Sequence, residues 1–290
     1  MRKDFLLAPV LALTGLIFTV NSAEAIVVDC TSTTVAAALA SNPGVTEFTV
    51  DGSCTETETI IVTVDDFTLS GDGDDSVTGC IKIDGAQRAK IENLTVTGCS
   101  GDTGIRFYNA ATGYLSSVVS SNHLYSGIEL RYDSFAEIRN SQFLNNGECG
   151  IILLRGAVGH GINNIITDYA YAGLCPIQHS TYTSEGATIS DATSAPAVDL
   201  GGNSYLDLRG VDADGDVNVY QQSQLRVRRL GSTQSSIVGD IEVNALSLLN
   251  ILDASEIIGD IVVSDISILR AAKTASVDGK IRCEQRTNVC

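Results

Sequence analysis

The chain is patterned as short segments in which apolar and polar residues alternate. Five such segments begin at Cys80, Gly104, Gly127, Gly150 and Gly173, so they recur about every 23 residues. Alternation is typical of strands with one buried face. In the first four segments, the residues expected to point inward are Ile81 and Ile83, Ile105 and Phe107, Ile128 and Leu130, and Ile151 and Leu153. A short strand cannot bury this face alone, so the repeat predicts stacked coils whose strands pair in parallel.

A second repeat with a shorter period follows near the end of the sequence. Segments that start at Gly239, Gly259 and Gly279 recur about every 20 residues. Each has the form Gly, then Asp or Lys, then Ile. Since a shorter coil encloses less volume, the cross-section is expected to shrink toward the C-terminus.

A column of small polar residues also follows the coil period. The segments Ile91-Glu-Asn93, Leu115-Ser-Ser117, Ile138-Arg-Asn140 and Ile162-Asn-Asn164 align at the same interval as the strands. Asparagine tolerates the left-handed backbone region that sharp bends use. The column therefore predicts one bend per coil, with hydrogen bonds running from coil to coil.

Residues 26–52 are predicted to form an N-terminal cap and a first strand. Thr33 or Thr34 is placed to cap a short helix over 35–39. Pro43-Gly44 then marks a turn before a strand over 47–50. An apolar helix face there would cover the open edge of the first coil. Residues 53–290 are assigned to the β-helix.

Positions 1–25 have the pattern of a cleaved signal peptide. Arg2 and Lys3 precede an apolar run over 5–20, and Ala23-Glu24-Ala25 offers the small-x-small site for cleavage after Ala25. The run is shorter than a membrane span requires, and no other segment is apolar enough to span a bilayer. We therefore expect a secreted or periplasmic protein with no transmembrane segment in the mature chain.

All eight cysteines follow the predicted cleavage site, and an even count in that context suggests disulfides. Their spacing is not that of a zinc site. Sequence alone does not determine the connectivity. Pairing neighbours matches the length of one coil in most cases and predicts Cys30–Cys54, Cys80–Cys99, Cys149–Cys175 and Cys283–Cys290. The last pair would close a small loop over the final coil.

These features together resemble the pectin-lyase-like right-handed parallel β-helix superfamily. The resemblance rests on T-V-A-A-A-L from Thr34, V-D-D-F-T-L-S-G-D-G over 64–73, and the tandem G-I-x-L coils, and it extends over nearly the whole mature chain. It implies an all-β solenoid in which the G-I-x-L strands form the first sheet. The Asn column would form the tight turn between the second and third sheets. Enzymes of this superfamily act on polysaccharides in a groove along the first sheet, but the fold hosts many functions.

The outward positions of the first sheet are the candidate working surface. One column holds Lys82, Arg106 and Glu129, and a second holds Asp84, Tyr108 and Arg131.

A polysaccharide lyase needs a base to remove the proton beside a uronate carboxyl and a cation to stabilise the anion that forms. By analogy with lyases, the candidate catalytic residues are Lys82, Arg106 and Arg131. The candidate substrate-binding residues are Tyr108, Glu129, Tyr132, Asp133, Arg155 and His179. The alternative is a solvated β-sheet face with cross-strand ion pairs.

Two acidic runs are candidate calcium sites. Asp72, Asp74 and Asp75 lie in a glycine-rich loop, and Asp212, Asp214 and Asp216 have the D-x-D-x-D spacing. Oxygen ligands on one turn favour Ca²⁺ over a transition metal. The alternative for each run is a solvated turn.

The net charge of −17 disfavours nucleic acid and anionic lipid as partners. Three functional hypotheses remain open. The first is a non-catalytic protein that binds polysaccharide or another cell-envelope component. The second is a pectate-lyase-like enzyme acting on uronate polymers, and the third is a structural or adhesive rod. The absence of tryptophan and of a complete catalytic motif argues against the enzyme, whereas the charged first sheet argues for it.

Overall fold

Each turn of the chain adds one strand to each of three parallel sheets. The structure is a computed structural model and describes residues 25–191 and 195–284. The predicted signal peptide, apart from Ala25, lies outside these residues. Successive strands pair in register within all three sheets, and each coil visits sheet 1, sheet 2 and sheet 3 in that order. The predicted parallel β-helix is confirmed.

Within the described residues, sheets 1, 2 and 3 contain eleven, twelve and eleven strands. Sheet 1 consists of β4 (Ile60–Val62), β7 (Ile81–Asp84), β10 (Ile105–Tyr108), β13 (Ile128–Arg131), β16 (Cys149–Leu154), β19 (Ala172–Pro176), β22 (Val198–Leu200), β25 (Val217–Val219), β28 (Ile241–Val243), β31 (Ile261–Val263) and β34 (Ile281–Cys283). Sheet 2 consists of β1 (Ile26–Asp29), β2 (Glu47–Asp51), β5 (Thr68–Ser70), β8 (Ala89–Glu92), β11 (Thr112–Ser116), β14 (Phe135–Arg139), β17 (Val158–Ile162), β20 (Thr181–Glu185), β23 (Tyr205–Arg209), β26 (Gln224–Arg228), β29 (Leu248–Ile251) and β32 (Ile268–Ala271). Sheet 3 consists of β3 (Ser53–Thr55), β6 (Ser76–Thr78), β9 (Thr95–Thr97), β12 (Val119–Ser121), β15 (Gln142–Asn146), β18 (Ile165–Tyr169), β21 (Thr188–Ser190), β24 (Asp212–Asp214), β27 (Ser236–Val238), β30 (Glu256–Ile258) and β33 (Ser276–Asp278).

The core is one continuous apolar column enclosed by the three sheets. The inward residues predicted for sheet 1 are all buried, from Ile81 to Leu153. Sheet 1 pairs Ile105 with Ile128 and Ile128 with Ile151, as the longer repeat predicts. Ile241, Ile261 and Ile281 pair as the shorter repeat predicts. Both repeats therefore correspond to the true coil lengths.

Coil length and core composition change together along the rod. The fully buried aromatic side chains are Phe48, Phe67, Phe107, Phe143, Tyr169 and Tyr182. After Tyr182, the buried hydrophobic residues of the described chain are aliphatic. This agrees with the narrower C-terminal cross-section predicted from the shorter repeat.

The Asn column is confirmed for three coils and is wrong by one residue in the fourth. Strand β17 pairs Gly161, not Ile162, with Ile138, which places Asn163 above Asn140. The left-handed bend is formed by Asn93, Ser117, Asn140 and Asn163, with φ between 48° and 54°. The Asn163 amide lies 3.4 Å from Oδ1 of Asn140. Asn164 instead turns into the core, donating to the Ile138 carbonyl and accepting from the Ser141 amide.

The predicted capping helix is present as α1 (Val35–Ser41). Thr34 is its N-cap and accepts a hydrogen bond from the Ala37 amide. The carboxylate of Glu56 accepts from two further free amides at the start of the helix. Val35 and Ala38 are buried in the core, so the helix packs on the first coils. Strand β1, which the sequence did not reveal, precedes the helix and extends sheet 2 by pairing with β2.

Three of the four predicted disulfides are confirmed: Cys30–Cys54, Cys80–Cys99 and Cys149–Cys175. Each links residues about one coil apart, because one turn of the helix brings the chain back beside itself. Cys283 is also in a disulfide. Its predicted partner, Cys290, lies outside the described residues.

Candidate functional site

The predicted outward columns of sheet 1 do lie side by side on the surface. Lys82, Arg106 and Glu129 occupy equivalent positions on β7, β10 and β13. Asp84 pairs with Tyr108 in the neighbouring column. This alignment follows from parallel pairing, which sets equivalent outward residues of successive coils next to each other.

Arg106 is held by two carboxylates. Its guanidinium donates to both oxygens of Asp102 and, at 2.9 Å, to Oε2 of Glu129. Glu129 is 5% exposed and also accepts from Arg131 at 3.3 Å. A paired guanidinium of this kind is a strong structural contact. Both oxygens of Glu129 are thus used for ion pairing within the sheet.

Lys82 is paired along its own strand. Its ammonium lies 2.7 Å from Oδ2 of Asp84 and 4.5 Å from the ring centroid of Tyr108. Asn109 donates to the other oxygen of Asp84 at 2.7 Å. The hydrogen bond from Lys82 lowers the pKa of Asp84, and the Asn109 contact adds to this against the opposing effect of burial. The Asp84 carboxylate is therefore stabilised in its charged form.

Two tyrosines and three basic side chains meet where sheet 1 bends toward sheet 2, and we call this group the tyrosine–cation cluster. The rings of Tyr108 and Tyr132 pack edge to face with centroids 4.9 Å apart. Arg131 and Arg155 lie over the Tyr132 ring at 5.1 and 4.7 Å, and Arg155 also contacts the Tyr132 hydroxyl. The members of the tyrosine–cation cluster are Lys82, Tyr108, Arg131, Tyr132 and Arg155.

The bend itself presents the cluster to solvent. Tyr132, Asp133 and Arg155 all have φ between 55° and 59°, the left-handed region that non-glycine residues seldom adopt. His179 occupies an equivalent bend but stands apart from the cluster, with Nε2 3.3 Å from Nδ2 of Asn203.

The first predicted calcium site forms an internally bonded turn. Asp75 accepts hydrogen bonds from the amides of Gly52 and Asp72, and Asp72 accepts from the Asp74 amide. Burial by itself would raise the pKa of Asp75, but these amide contacts outweigh it and the pKa is lowered.

The second acidic run does not form the single turn that we expected. Asp212 and Asp214 lie on strand β24 with their side chains outward. Asp216 follows the bend at Gly215 and accepts from the Asp240 amide. The described residues contain no group of three or more His, Cys, Asp and Glu side chains placed to share a metal ion. Calcium binding stays a prediction.

His123 is a buried histidine that follows strand β12 of sheet 3, and it has a structural role. It is 3% exposed, and burial lowers its pKa to about 4. Its Nδ1 accepts from the Cys99 amide, so the proton sits on Nε2, 3.0 Å from the Ser120 hydroxyl. That hydroxyl donates to the Gly127 carbonyl. This arrangement leaves the histidine without the free acceptor that activation of a serine requires.

Several residues of the surface were missed from the sequence. Asp102 and Asn109 complete the ion-pair network, although neither lies in an outward column of a strand. Further along sheet 1, a cavity is lined by Glu148, Tyr171, Asp199 and Tyr220. Contacts within this set join residues from different coils, so only the coil register could have revealed them.

Among the residues that the structure describes, no helix has the length and apolarity needed to cross a membrane.

Comparison with known proteins identifies the family. Two solved structures of the Streptococcus pneumoniae surface adhesin PfbA are similar to this chain at 11% identity. The first has a TM-score of 0.40 and covers 88% of this chain and 92% of its own, and the second has a TM-score of 0.30 with 85% and 87% covered. These values give no functional information about this chain. No curated protein matches it. The family model for the right handed beta helix region matches residues 17–189, which is more than half of the sequence, and the chain therefore belongs to the right-handed β-helix family.

Proposed function

We propose that this protein is a non-catalytic, extracytoplasmic β-helix rod that binds carbohydrate of the cell envelope or its surroundings. The observation that carries the proposal is the tyrosine–cation cluster on the sheet 1 face. Export is supported by the disulfides, which persist in oxidising compartments. It is also supported by the predicted signal peptide.

The chemistry of the cluster suits a sugar. Aromatic rings offer flat apolar surfaces. Tyrosine, which combines such a ring with a polar hydroxyl, is enriched where proteins meet partners. The guanidinium and ammonium groups beside Tyr108 and Tyr132 supply hydrogen-bond donors for hydroxyl groups. The extended sheet provides a flat run of several coils on which a linear polysaccharide can lie.

The charge of this surface points to a neutral polysaccharide. The basic residues are Lys82, Arg106, Arg131 and Arg155, and they are matched by Asp84, Asp102, Glu129 and Asp133. A matched set leaves no excess positive potential to offset the overall charge of −17. A polyuronate would therefore be bound less well than a neutral glycan.

The lyase alternative has weaker support. A base for proton abstraction must reach the substrate with a free lone pair. Arg106 is engaged with Asp102 and Glu129, and Lys82 with Asp84. A purely structural rod, the third hypothesis, needs no such cluster.

The proposal is tested by binding of the purified protein to a panel of neutral and uronate polysaccharides. We expect at least one neutral glycan to bind, and Tyr132→Ala to weaken that binding roughly tenfold or more. Tyr114→Ala is the matched control, because Tyr114 lies against Arg139 at 5.9 Å but on sheet 2. Absence of binding to every glycan, or equal effects of the two variants, would contradict the proposal.

Catalysis is tested with the same panel. Ultraviolet absorbance after incubation with uronate polymers reports the unsaturated product of a lyase. We expect no increase. If an increase appears and is lost in both Arg106→Ala and Arg131→Ala, the lyase hypothesis replaces ours.

A further inference from the structure

A cavity of about 440 Å³ opens on sheet 1 beyond the tyrosine–cation cluster. Its floor is the Cys149–Cys175 disulfide, which joins β16 to β19. Ile152 and Ile177 form apolar walls, and Glu148, Tyr171, Asp199 and Tyr220 supply its ionisable and aromatic groups. The volume lies in the range of small-molecule sites. A disulfide floor and two hydrogen-bonded tyrosines make the cavity preformed.

Asp199 is the central group of this cavity. It is only 5% exposed. No basic side chain to balance its charge is found among the described residues that line the cavity. Tyr171 and Tyr220 both donate to the same oxygen, Oδ2, at 3.0 and 2.8 Å. Its other oxygen, Oδ1, accepts no hydrogen bond from the described residues. A carboxylate with so little exposure and no cation beside it is costly. Oδ1 is not one of the described side-chain atoms that are fully enclosed and unpaired, so it opens to the cavity and is available to a ligand.

The groups around Asp199 preserve its hydrogen bonds and add a second carboxyl to the cavity. Burial and the Asp199 charge raise the pKa of both tyrosines, so their hydroxyls stay protonated and keep donating. Glu148 adds a second carboxyl, and burial together with the charge of Glu129 raises its pKa. The cavity thus combines negative charge, two aromatic rings and apolar walls.

We infer that this cavity binds a ligand of amino-sugar size through a primary ammonium group that donates to Oδ1 of Asp199. A primary ammonium has three donors and supplies the missing positive charge. Aromatic rings beside the carboxylate favour a cation as well. Two carboxyl groups alone provide too few ligands for Ca²⁺, which takes six or more oxygens. The site lies apart from the tyrosine–cation cluster and does not depend on the function proposed for it.

The test is calorimetric binding of glucosamine, with N-acetylglucosamine, glucose and butylamine as comparison probes. We expect glucosamine to bind at least roughly tenfold more tightly than N-acetylglucosamine or glucose, since both lack the charge. Equal binding of the charged and uncharged sugars would overturn the ammonium assignment. Butylamine binding as tightly as glucosamine would overturn the sugar part of it.

Variants separate this site from the rest of the surface. Asp199→Asn should abolish glucosamine binding, while Tyr132→Ala should leave it unchanged. Asp212→Asn is the matched control, because it removes the same charge from the exposed face of sheet 3. Glu148→Gln, at a partly exposed position, should weaken glucosamine binding about threefold. This variant tests the proposal even if Asp199→Asn fails to fold. Retained binding in both Asp199→Asn and Glu148→Gln would overturn the proposal.

Discussion

Two stretches of the same sheet carry different chemistry on the same backbone. In strands β7, β10 and β13, every carboxylate of the outward columns is paired with a lysine or arginine. In strands β16, β19 and β22, the outward column runs through Ile152, Cys175 and Asp199, and no basic residue is among the described residues around the cavity there. The inward residues of both stretches are buried aliphatic or aromatic side chains in the same parallel register.

In a β-helix, inward and outward positions are under separate constraints. Inward residues must fill one shared column, so they stay apolar along the rod even where aliphatic side chains replace aromatic ones after Tyr182. Outward residues meet only groups on their own coil and on the adjacent coils, which allows neighbouring regions of one sheet to differ in charge. An ion-paired surface and an uncompensated carboxylate can therefore lie a few strands apart.

Substitutions in the core beneath each stretch are expected to change stability the most. Phe107→Ala, under the tyrosine–cation cluster, should lower the free energy of unfolding by about 3–5 kcal/mol. Val198→Ala, beside Asp199, should cost about 2 kcal/mol because fewer buried carbon groups are lost. Urea denaturation of both variants measures the difference. A larger loss for Val198→Ala would mean that the second stretch, not the first, limits stability.

An intermediate effect is expected from neutralising one carboxylate in each stretch. Glu129→Gln leaves Arg106 and Arg131 without a shared partner and should destabilise the fold by about 1–3 kcal/mol. Asp199→Asn should change stability by less than about 0.5 kcal/mol or increase it, since an amide oxygen still accepts from both tyrosines and no cation loses its partner. Thermal unfolding gives both values. Equal destabilisation would show that the two carboxylates are equivalent.

The smallest effect is a difference in titration. Asp84, bonded to Lys82, should titrate below its usual pKa of 3.8, and partly buried Glu148 above its usual 4.5. Asp84 therefore contributes stability above pH 3.8 that is lost as the pH falls through its lowered pKa. Glu148 contributes stability below pH 4.5 that is lost as the pH rises through its raised pKa.

Carbon-13 NMR of the side-chain carboxyls measures both values. Lys82→Met is the control, and it should move the pKa of Asp84 back toward its usual value without affecting Glu148. If the pKa values of Asp84 and Glu148 are both raised or both lowered in the unmodified protein, the two stretches do not differ electrostatically in the predicted way.

The fold class and the coil periods were predictable from the sequence alone, and pairing neighbouring cysteines predicted three of the disulfides correctly. Each follows from a local pattern that repeats: alternation marks the strands, glycine marks their starts, and cysteines about one coil apart meet. The outward columns from Lys82 to Glu129 were predictable for the same reason, since a parallel register converts a spacing in sequence into a contact in space.

Which outward groups touch and which oxygens remain free depends on the three-dimensional path of the bends. Asp102 reaches Arg106 from a bend, Asn163 replaces Asn164 in the turn column, and Tyr171 and Tyr220 meet on Asp199.

The physical reason is that coils of unequal length stack in this chain. Leu174 pairs with Val198, and Val198 pairs with Val217 after a shorter coil. A bend that is slightly longer or shorter therefore redirects a side chain without disturbing the strands. The repeat specifies the strands, whereas the bends between them, which follow no strict period, specify the site.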